Sequence, residues 1–597
     1  MTGMDDVYEF DEVLESCTEQ SITYDELLSR VTLAYLADVD MDDPPSAVDV
    51  KFELLTLTNR CIDAYNLGPE DTSAGAGARM RDRYPKMKEG TDKFKKSHTL
   101  LPLQIALCIR KLHHAVCVCW ASSRSDGNYD IGIYQTEGEN LGCYDVSEDG
   151  VESLIRSYNK TISLRDVSEV VASLRAICPH VERNTDRDLI AVNNGIFDYG
   201  SKVLLGFDPE YVFTSKCHVD FVPTAANPVI HNDDDGTDWD VVSWMKELSD
   251  DDEVVDLLWQ ILGAIIRPNV SWNKTAWFYS TLGNNGKGTL CTLMRNLCGA
   301  GAWASIPLKA FSEQFMLEPL THVSAVITDE NDTGTFVDDA AALKSIITHD
   351  PFQINRKFKD PRSLLFRGFM VQCVNELPKL KDKSESMYRR LLVVPFEKRF
   401  EGKERKYIKD DYLYRKDVLE FVLYHVLYDT DYYELSEPDA CATLLSEYKE
   451  FNDPVRQFCE DTMGKFSWDL IPWDMLYAFY EGWFRRFVPS GRIQSKAGFI
   501  KDFKQLLTEY PDWDETSSQM STNGRTDYPE PLILEYEVKA LMNKSYRGSD
   551  LARMCQPDVP ARARGIIRAA NAVSVRRTVS GDAVDAKDSI EEGGSNA

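Results

Sequence analysis

The apolar positions in the middle of this chain gather into four short unbroken runs, each bounded by polar residues. Ala276–Ser280 enters the loop Gly283-Asn284-Asn285-Gly286-Lys287-Gly288-Thr289. Val323–Ile327 leads to Asp329-Glu330, and Phe369–Val374 ends in Asn375. Leu391–Phe396 follows Arg389-Arg390. Apolar runs with no polar face predict strands buried on both sides, as in a parallel sheet covered by helices. From Leu290 to Leu297 the spacing becomes helical, and Gly299 is suited to close that helix. The expected fold class is α/β.

The flanks carry weaker patterns. Residues 1–98 read as mostly helical, broken by Gly75-Ala76-Gly77-Ala78 and by a basic stretch, Arg79 to Lys96, that is either a linker or a DNA-touching loop. Asp38-Val39-Asp40 offers a pair of carboxylates, on too little chain for a primase catalytic domain. Residues 99–250 read as an α+β module in which Asn193-Asn194-Gly195 suggests a hairpin turn. Residues 251–402 hold the four runs. Residues 403–545 are rich in aromatics, and Met475 to Phe487 reads as a helix with a buried face, so Trp468, Trp473, Phe479 and Trp483 are expected in a core. From 546 to 597 Gly, Ala, Arg and Asp dominate, which predicts a disordered tail. Its Arg562, Arg564, Arg568, Arg576 and Arg577 are candidates for nucleic-acid contact or for one marginal helix.

The strand ends suggest chemistry. A phosphate-binding loop needs glycines that let the backbone approach, a lysine for the β- and γ-phosphates and a hydroxyl for Mg²⁺. Gly283, Gly286 and Gly288 supply the first, and Lys287 the second. The strict pattern has Gly at 281 and Ser or Thr at 288, where this chain has Thr281 and Gly288. The magnesium ligand is therefore Thr289, the nearest hydroxyl, or Asp329 with water alone. Asp329 and Glu330 suit metal binding and activation of the attacking water. Asn375 suits contact with the γ-phosphate or that water. Arg390, or Arg389 beside it, suits the arginine-finger role, which requires a neighbouring subunit.

In this order the motifs resemble the superfamily 3 helicases, the viral and plasmid branch of the AAA+ ATPases. The branch-specific signal is Leu343-Lys344-Ser345-Ile346-Ile347 followed by His349 to Pro361. The resemblance implies an AAA+-type P-loop core and a β-hairpin that projects into a ring channel. It also implies a DNA grip by Lys357 and Phe358, with Lys359 beside them, where many relatives have His in place of Phe358. Upstream, Val192-Asn193-Asn194-Gly195-Ile196-Phe197-Asp198, Phe207-Asp208-Pro209 and the run Phe221 to Pro228 are similar to the module that precedes the ATPase in phage and poxvirus primase–helicases. The resemblance further implies a helical or winged-helix domain after the core.

Charge adds one refinement. The net charge is −30, unusual for a protein that holds DNA without sequence preference. Between 341 and 400, however, 13 Lys/Arg stand against 6 Asp/Glu. A basic bore inside an acidic exterior suits a ring that binds DNA only within it. The 14 scattered cysteines form no CxxC pair and read as core residues, Cys117 and Cys119 beside His113-His114 included. No apolar run approaches the ~18–20 residues of a membrane span, and the acidic start Met1–Asp6 carries no export signal.

The expected function is an ATP- and Mg²⁺-dependent DNA helicase of a phage or mobile element, cytoplasmic and acting as a homo-hexamer on single-stranded and forked DNA. A primase or DNA polymerase is the expected partner. The alternatives are a bifunctional primase–helicase and a nucleotide-dependent scaffold that recruits replication proteins without unwinding.

Overall fold

The structure, a computed structural model, describes residues 22–41, 43–67, 94–120, 129–313, 315–332, 335–337, 340–357, 359–402, 405–487 and 493–570, without the side chains of 336, 359 and 360. Two compact units divide the chain: Met1–Asp382 with Arg389–Ala442, and Lys383–Tyr388 with Thr443–Ala597. The expected division at 402/403 thus falls later in the chain. The helix Lys416–Leu427 explains why, because its Val418, Val422, Leu423, Val426 and Leu427 share one core with the helix Asp252–Ile266 and the central sheet.

The first described elements of the first unit are the helices Tyr24–Ala37 and Ala47–Leu67. Thr23 and Glu26 form a capping box that satisfies N–H groups at the first helix's start. Asp38 is that helix's C-cap, and both Asp38 and Asp40 are exposed. The helix Pro102–Leu112 is followed by a four-stranded sheet in the order Tyr144–Asp145, Tyr129–Tyr134, Val116–Cys119, His180–Glu182. Cys117 and Cys119 are buried there, and His113 Nε2 lies 3.1 Å from the Tyr158 hydroxyl. Asn193-Asn194 forms the turn between Leu189–Val192 and Gly195–Asp198. The asparagines also clasp the later run: Asn193 Nδ2 donates to Asp220 Oδ1, and Asn194 makes two hydrogen bonds with the backbone of Phe221. A Cβ at Gly195 would stand 2.3 Å from the Leu205 carbonyl oxygen, so the turn's glycine is fixed by close packing.

All four predicted buried runs are strands of one parallel sheet. Its order is Trp303–Ala304, Ala325–Thr328, Phe369–Val374, Thr275–Tyr279, Leu391–Pro395. Every residue of Ala325–Thr328 and Phe369–Val374 is buried, as sheets covered on both faces require.

The second unit packs helices Pro454–Thr462, Trp473–Phe487 and Lys496–Leu506 with a three-stranded antiparallel sheet. The helix Trp473–Phe487 buries Met475, Leu476, Phe479, Tyr480, Trp483 and Phe484, the face that its spacing predicts. The expected disordered tail needs correction at its start. Gly565–Arg568 is the middle strand of this sheet, between Leu470–Pro472 and Trp513–Glu515. Its apolar stretch is too short to stand out among Ala, Gly and Arg, but pairing on both edges satisfies its backbone and buries Ile566. Arg568 is correspondingly structural: its Nε lies 3.0 Å from Asp469 Oδ1, and its guanidinium covers the Trp513 ring. Arg576 and Arg577 lie outside the described residues. No helix among the described residues is long and apolar enough to cross a membrane, and the thirteen described cysteines are buried and form no disulfide.

Candidate active site

The strand Thr275–Tyr279, next to the edge strand Leu391–Pro395, delivers the chain into the glycine loop, and the helix Lys287–Cys298 leaves it. This helix starts three residues before the expected Leu290. Gly286 is its N-cap at φ +90°, a left-handed conformation natural to glycine, and a Cβ there would meet Leu248 at 2.6 Å. Gly299 closes the helix at φ +82°, as expected. Asn284 is also left-handed, and its carbonyl accepts from the Phe400 N–H at 2.8 Å. Asn285 Oδ1 accepts the Lys287 N–H at 3.3 Å. Such a loop presents helix N-terminal N–H groups and the positive end of the helix dipole, a cradle for an anion.

Strand register brings the other residues to the same edge. Tyr279 pairs with Val374, so Asn375 stands level with the loop entrance. Lys287 is buried, and its Nζ donates to Asn375 Oδ1 at 2.8 Å and to the Ser280 carbonyl at 3.3 Å. Burial lowers the Lys287 pKa below its ordinary value, with Cys373 and Asp329 opposing that shift. Thr328 pairs with Gln372, which puts Asp329 beside Cys373. Asp329 also faces the helix: a Cβ on Gly288 would lie 3.2 Å from both of its carboxylate oxygens. Glu330, the next residue, is exposed.

Thr289 does not share that face. Successive helical residues turn about 100°, so the direction of Gly288 recurs near Cys291 and Thr292 rather than at 289. Cys291 belongs to a group with Asp329 and Cys373 whose ligand atoms lie within 4.8 Å of one another. Thr292 Oγ1 donates back to the Gly288 carbonyl.

Three further residues of this site went unnoticed in the sequence. Arg295, two turns along the helix, brings Nη1 to 3.9 Å from Asp329 Oδ2 and lies over the Trp303 ring. Asn331 ties the loop after Asp329 to the sheet through Gln372 and the Cys373 carbonyl. Cys373 has its pKa pushed well above the ordinary thiol value by its hydrogen bond with Cys291 and by burial. Only Asn331, following Asp329-Glu330 directly, had a positional signal.

Arg389 and Arg390 are at the other end of the sheet. The Arg390 carbonyl accepts from the Thr275 N–H at 2.9 Å, at the start of the strand Thr275–Tyr279. Five strand residues at roughly 3.3 Å each separate that level from the loop, about 16 Å. No arginine side chain spans that distance to its own chain's Lys287.

The basic turn caps a hairpin. Phe352–Arg356 pairs antiparallel with Lys359–Leu364, Arg356 faces Lys359, and Lys357 enters the turn. Lys357 is exposed. Phe358 and the side chain of Lys359 lie outside the described residues. At the stem, the Arg362 guanidinium grips Asp130 of the α+β module with hydrogen bonds of 2.6 and 2.7 Å. Trp120 Nε1 donates to the same carboxylate at 2.8 Å, and Arg183 Nη2 donates to the Leu365 carbonyl at 2.7 Å. A cleft of about 260 Å³ beside this junction is lined by Ser147, Glu148, Glu318, His322 and Arg356.

Comparison with known proteins yields two partial family matches. Residues 110–250 match the model described as D5 N terminal like. Residues 278–390 match a family of unknown function (DUF5906), a span that includes the loop, Asp329, Asn375 and the hairpin. Among solved structures, the A form apo structure of the NrS-1 C terminal region is similar at 12% identity over 71% of this chain and 98% of that one, with a TM-score of 0.38. The A form of its residues 305–718 matches at 14% identity over 78% and 100%, with a TM-score of 0.42. The chain is thus an α/β protein similar to the D5 N-terminal-like family over 110–250.

Proposed function

We propose that this protein is an ATP hydrolase that drives movement along DNA, a ring-forming replicative helicase of the superfamily 3 type. The observation that carries the reading is the Lys287–Asn375 hydrogen bond of 2.8 Å, made where a glycine loop, a helix N-terminus and the Asp329 carboxylate converge at the carboxyl ends of parallel strands. Ligands of open α/β sheets bind at that edge. The Lys287 ammonium, held by Asn375 and the Ser280 carbonyl, is positioned to exchange them for β- and γ-phosphate oxygens. Asn375, released by that exchange, is free to orient the attacking water. Asp329 has the hard oxygen donors that suit Mg²⁺, which supplies charge neutralisation on the phosphates when bound. Gly288 offers no hydroxyl, so Asp329, water and the phosphates themselves are the ligand set that fits. Glu330 is the candidate to accept the water's proton.

The far position of Arg390 supports a finger directed at a neighbouring subunit, and hence a ring. The exposed Lys357 at a hairpin tip supports contact with a DNA phosphate, with Phe358 against a base. The match of 110–250 to the D5 N-terminal-like model supports a replication protein of the phage primase–helicase kind. ATP turnover measured with and without single-stranded DNA, in the wild type and in Lys287→Ala, tests this reading. DNA-stimulated turnover that disappears in the variant is expected, and turnover that survives in it overturns the assignment.

A further inference from the structure

We propose that Cys291, Cys373 and Asp329 form a site for a thiophilic divalent metal ion of the Zn²⁺ class, and that its occupancy withdraws Asp329 from Mg²⁺ and stops ATP turnover. Metal binding stands on geometry alone. The inhibition rests on the function proposed above.

The two sulfur atoms are 3.4 Å apart, and the two sulfurs and the Asp329 carboxylate lie within 4.8 Å of one another. Two thiolates bound to tetrahedral Zn²⁺ at about 2.3 Å each stand about 3.8 Å apart. The pair therefore needs to open by only a few tenths of an ångström. Both sulfurs are carried by rigid elements, Cys291 on the helix Lys287–Cys298 and Cys373 on the strand Phe369–Val374. Both are buried, while the Asp329 side chain is 32% exposed and forms the side open to an arriving ion.

The neighbouring Gly288 strengthens the argument. A phosphate loop of the strict pattern has a hydroxyl at this position, a hard ligand suited to Mg²⁺. Here the residue facing Asp329 contributes no donor, and two soft sulfurs border the same carboxylate. Thiolates favour Zn²⁺ strongly over Mg²⁺. Binding releases both thiol protons to solvent, and Zn²⁺ undergoes no redox change.

Isothermal titration of the full chain with Zn²⁺ tests the site, with Cys291→Ser, Cys373→Ser and Asp329→Asn beside the wild type. Removing even a supporting partner of a metal ligand costs roughly 10–100-fold in affinity, so each variant should lose at least that much at one equivalent. Cys291→Ala and Cys373→Ala, which bury no hydroxyl, replace the serine variants if circular dichroism reveals misfolding. Unchanged stoichiometry and affinity in the variants overturns the site. In the second arm, Zn²⁺ should suppress ATP turnover of the wild type, a chelator selective for Zn²⁺ over Mg²⁺ should restore it, and Cys373→Ser should resist it. Recovery that needs a thiol reductant instead of the chelator overturns the metal in favour of cysteine oxidation. If the metal-free wild type has no turnover, the proposed function fails while the titration still decides the site.

Discussion

Arg362 and Asp130, 232 positions apart in the chain, meet in a two-pronged ion pair at the stem of the hairpin that carries Lys357. The side chains are only 6% and 18% exposed. Breaking one partner of a buried pair costs about 3–5 kcal/mol. Asp130→Ala should therefore destabilise the first unit by about 3 kcal/mol in denaturant unfolding. With the hairpin stem detached, stimulation of ATP turnover by DNA should fall while turnover without DNA persists. Equal loss of both would mean that the pair serves only folding.

The same pair sets a pH dependence. Burial alone would raise the Asp130 pKa, but the Arg362 hydrogen bonds and charge outweigh it and the net shift is downward. A carboxylate with a depressed folded pKa stabilises the fold above its unfolded value of about 3.9, and the contribution is lost as pH falls through the folded value. The protection of amides in 352–364 against hydrogen exchange, corrected for the intrinsic pH dependence of exchange, should be the same at pH 5 as at pH 7 and should fall only below pH 4. Loss of that protection already at pH 5 would contradict this.

The magnesium ligand is separable from the helix around it. Because Gly288 faces Asp329 and Thr289 is turned about 100° away, Thr289→Val should leave the Mg²⁺ concentration for half-maximal turnover unchanged. Asp329→Asn should raise it by at least roughly tenfold, about 1.4 kcal/mol. A strong Mg²⁺ defect in Thr289→Val would return the hydroxyl role to that residue.

The parallel strands were legible because burial on both faces leaves unbroken apolar runs. Lys287, Asp329 and Asn375 were legible because polar residues that end such runs gather at one edge of the sheet. The hairpin tip was visible as a basic turn between β-prone stretches. The Arg362–Asp130 pair was invisible, since nothing local to either residue marks a partner so distant. Gly565–Arg568 was lost because its strand identity comes from the two strands that flank it. The helix start at Lys287 was hidden by glycines, whose low helix propensity is overridden where a left-handed N-cap turns the chain. The nearness of Cys291 to Cys373 depends on packing of helix on sheet, which spacing does not encode.

The Arg390 position, about 16 Å from its own loop, makes complementation the informative assay. Arg390→Ala should bind nucleotide nearly normally and lose hydrolysis by roughly 10³–10⁵. Mixed with Lys287→Ala subunits it should regain part of that activity, because some interfaces then pair an intact loop with an intact arginine. No recovery in mixtures shown to co-assemble would argue for action within one chain, or for Arg389.

Strand displacement from a forked DNA duplex, measured with ATP and Mg²⁺ for the wild type, Lys287→Ala and the double variant Lys357→Ala, Phe358→Ala, joins the nucleotide site to the hairpin in one experiment. The wild type should separate the strands and neither variant should. The double variant's salt slope for single-stranded DNA should also shrink by roughly 0.7 for each lost phosphate contact. A wild type that hydrolyses ATP on DNA yet never displaces a strand, or a double variant that unwinds normally, would contradict the reading of this protein as a helicase driven through that hairpin.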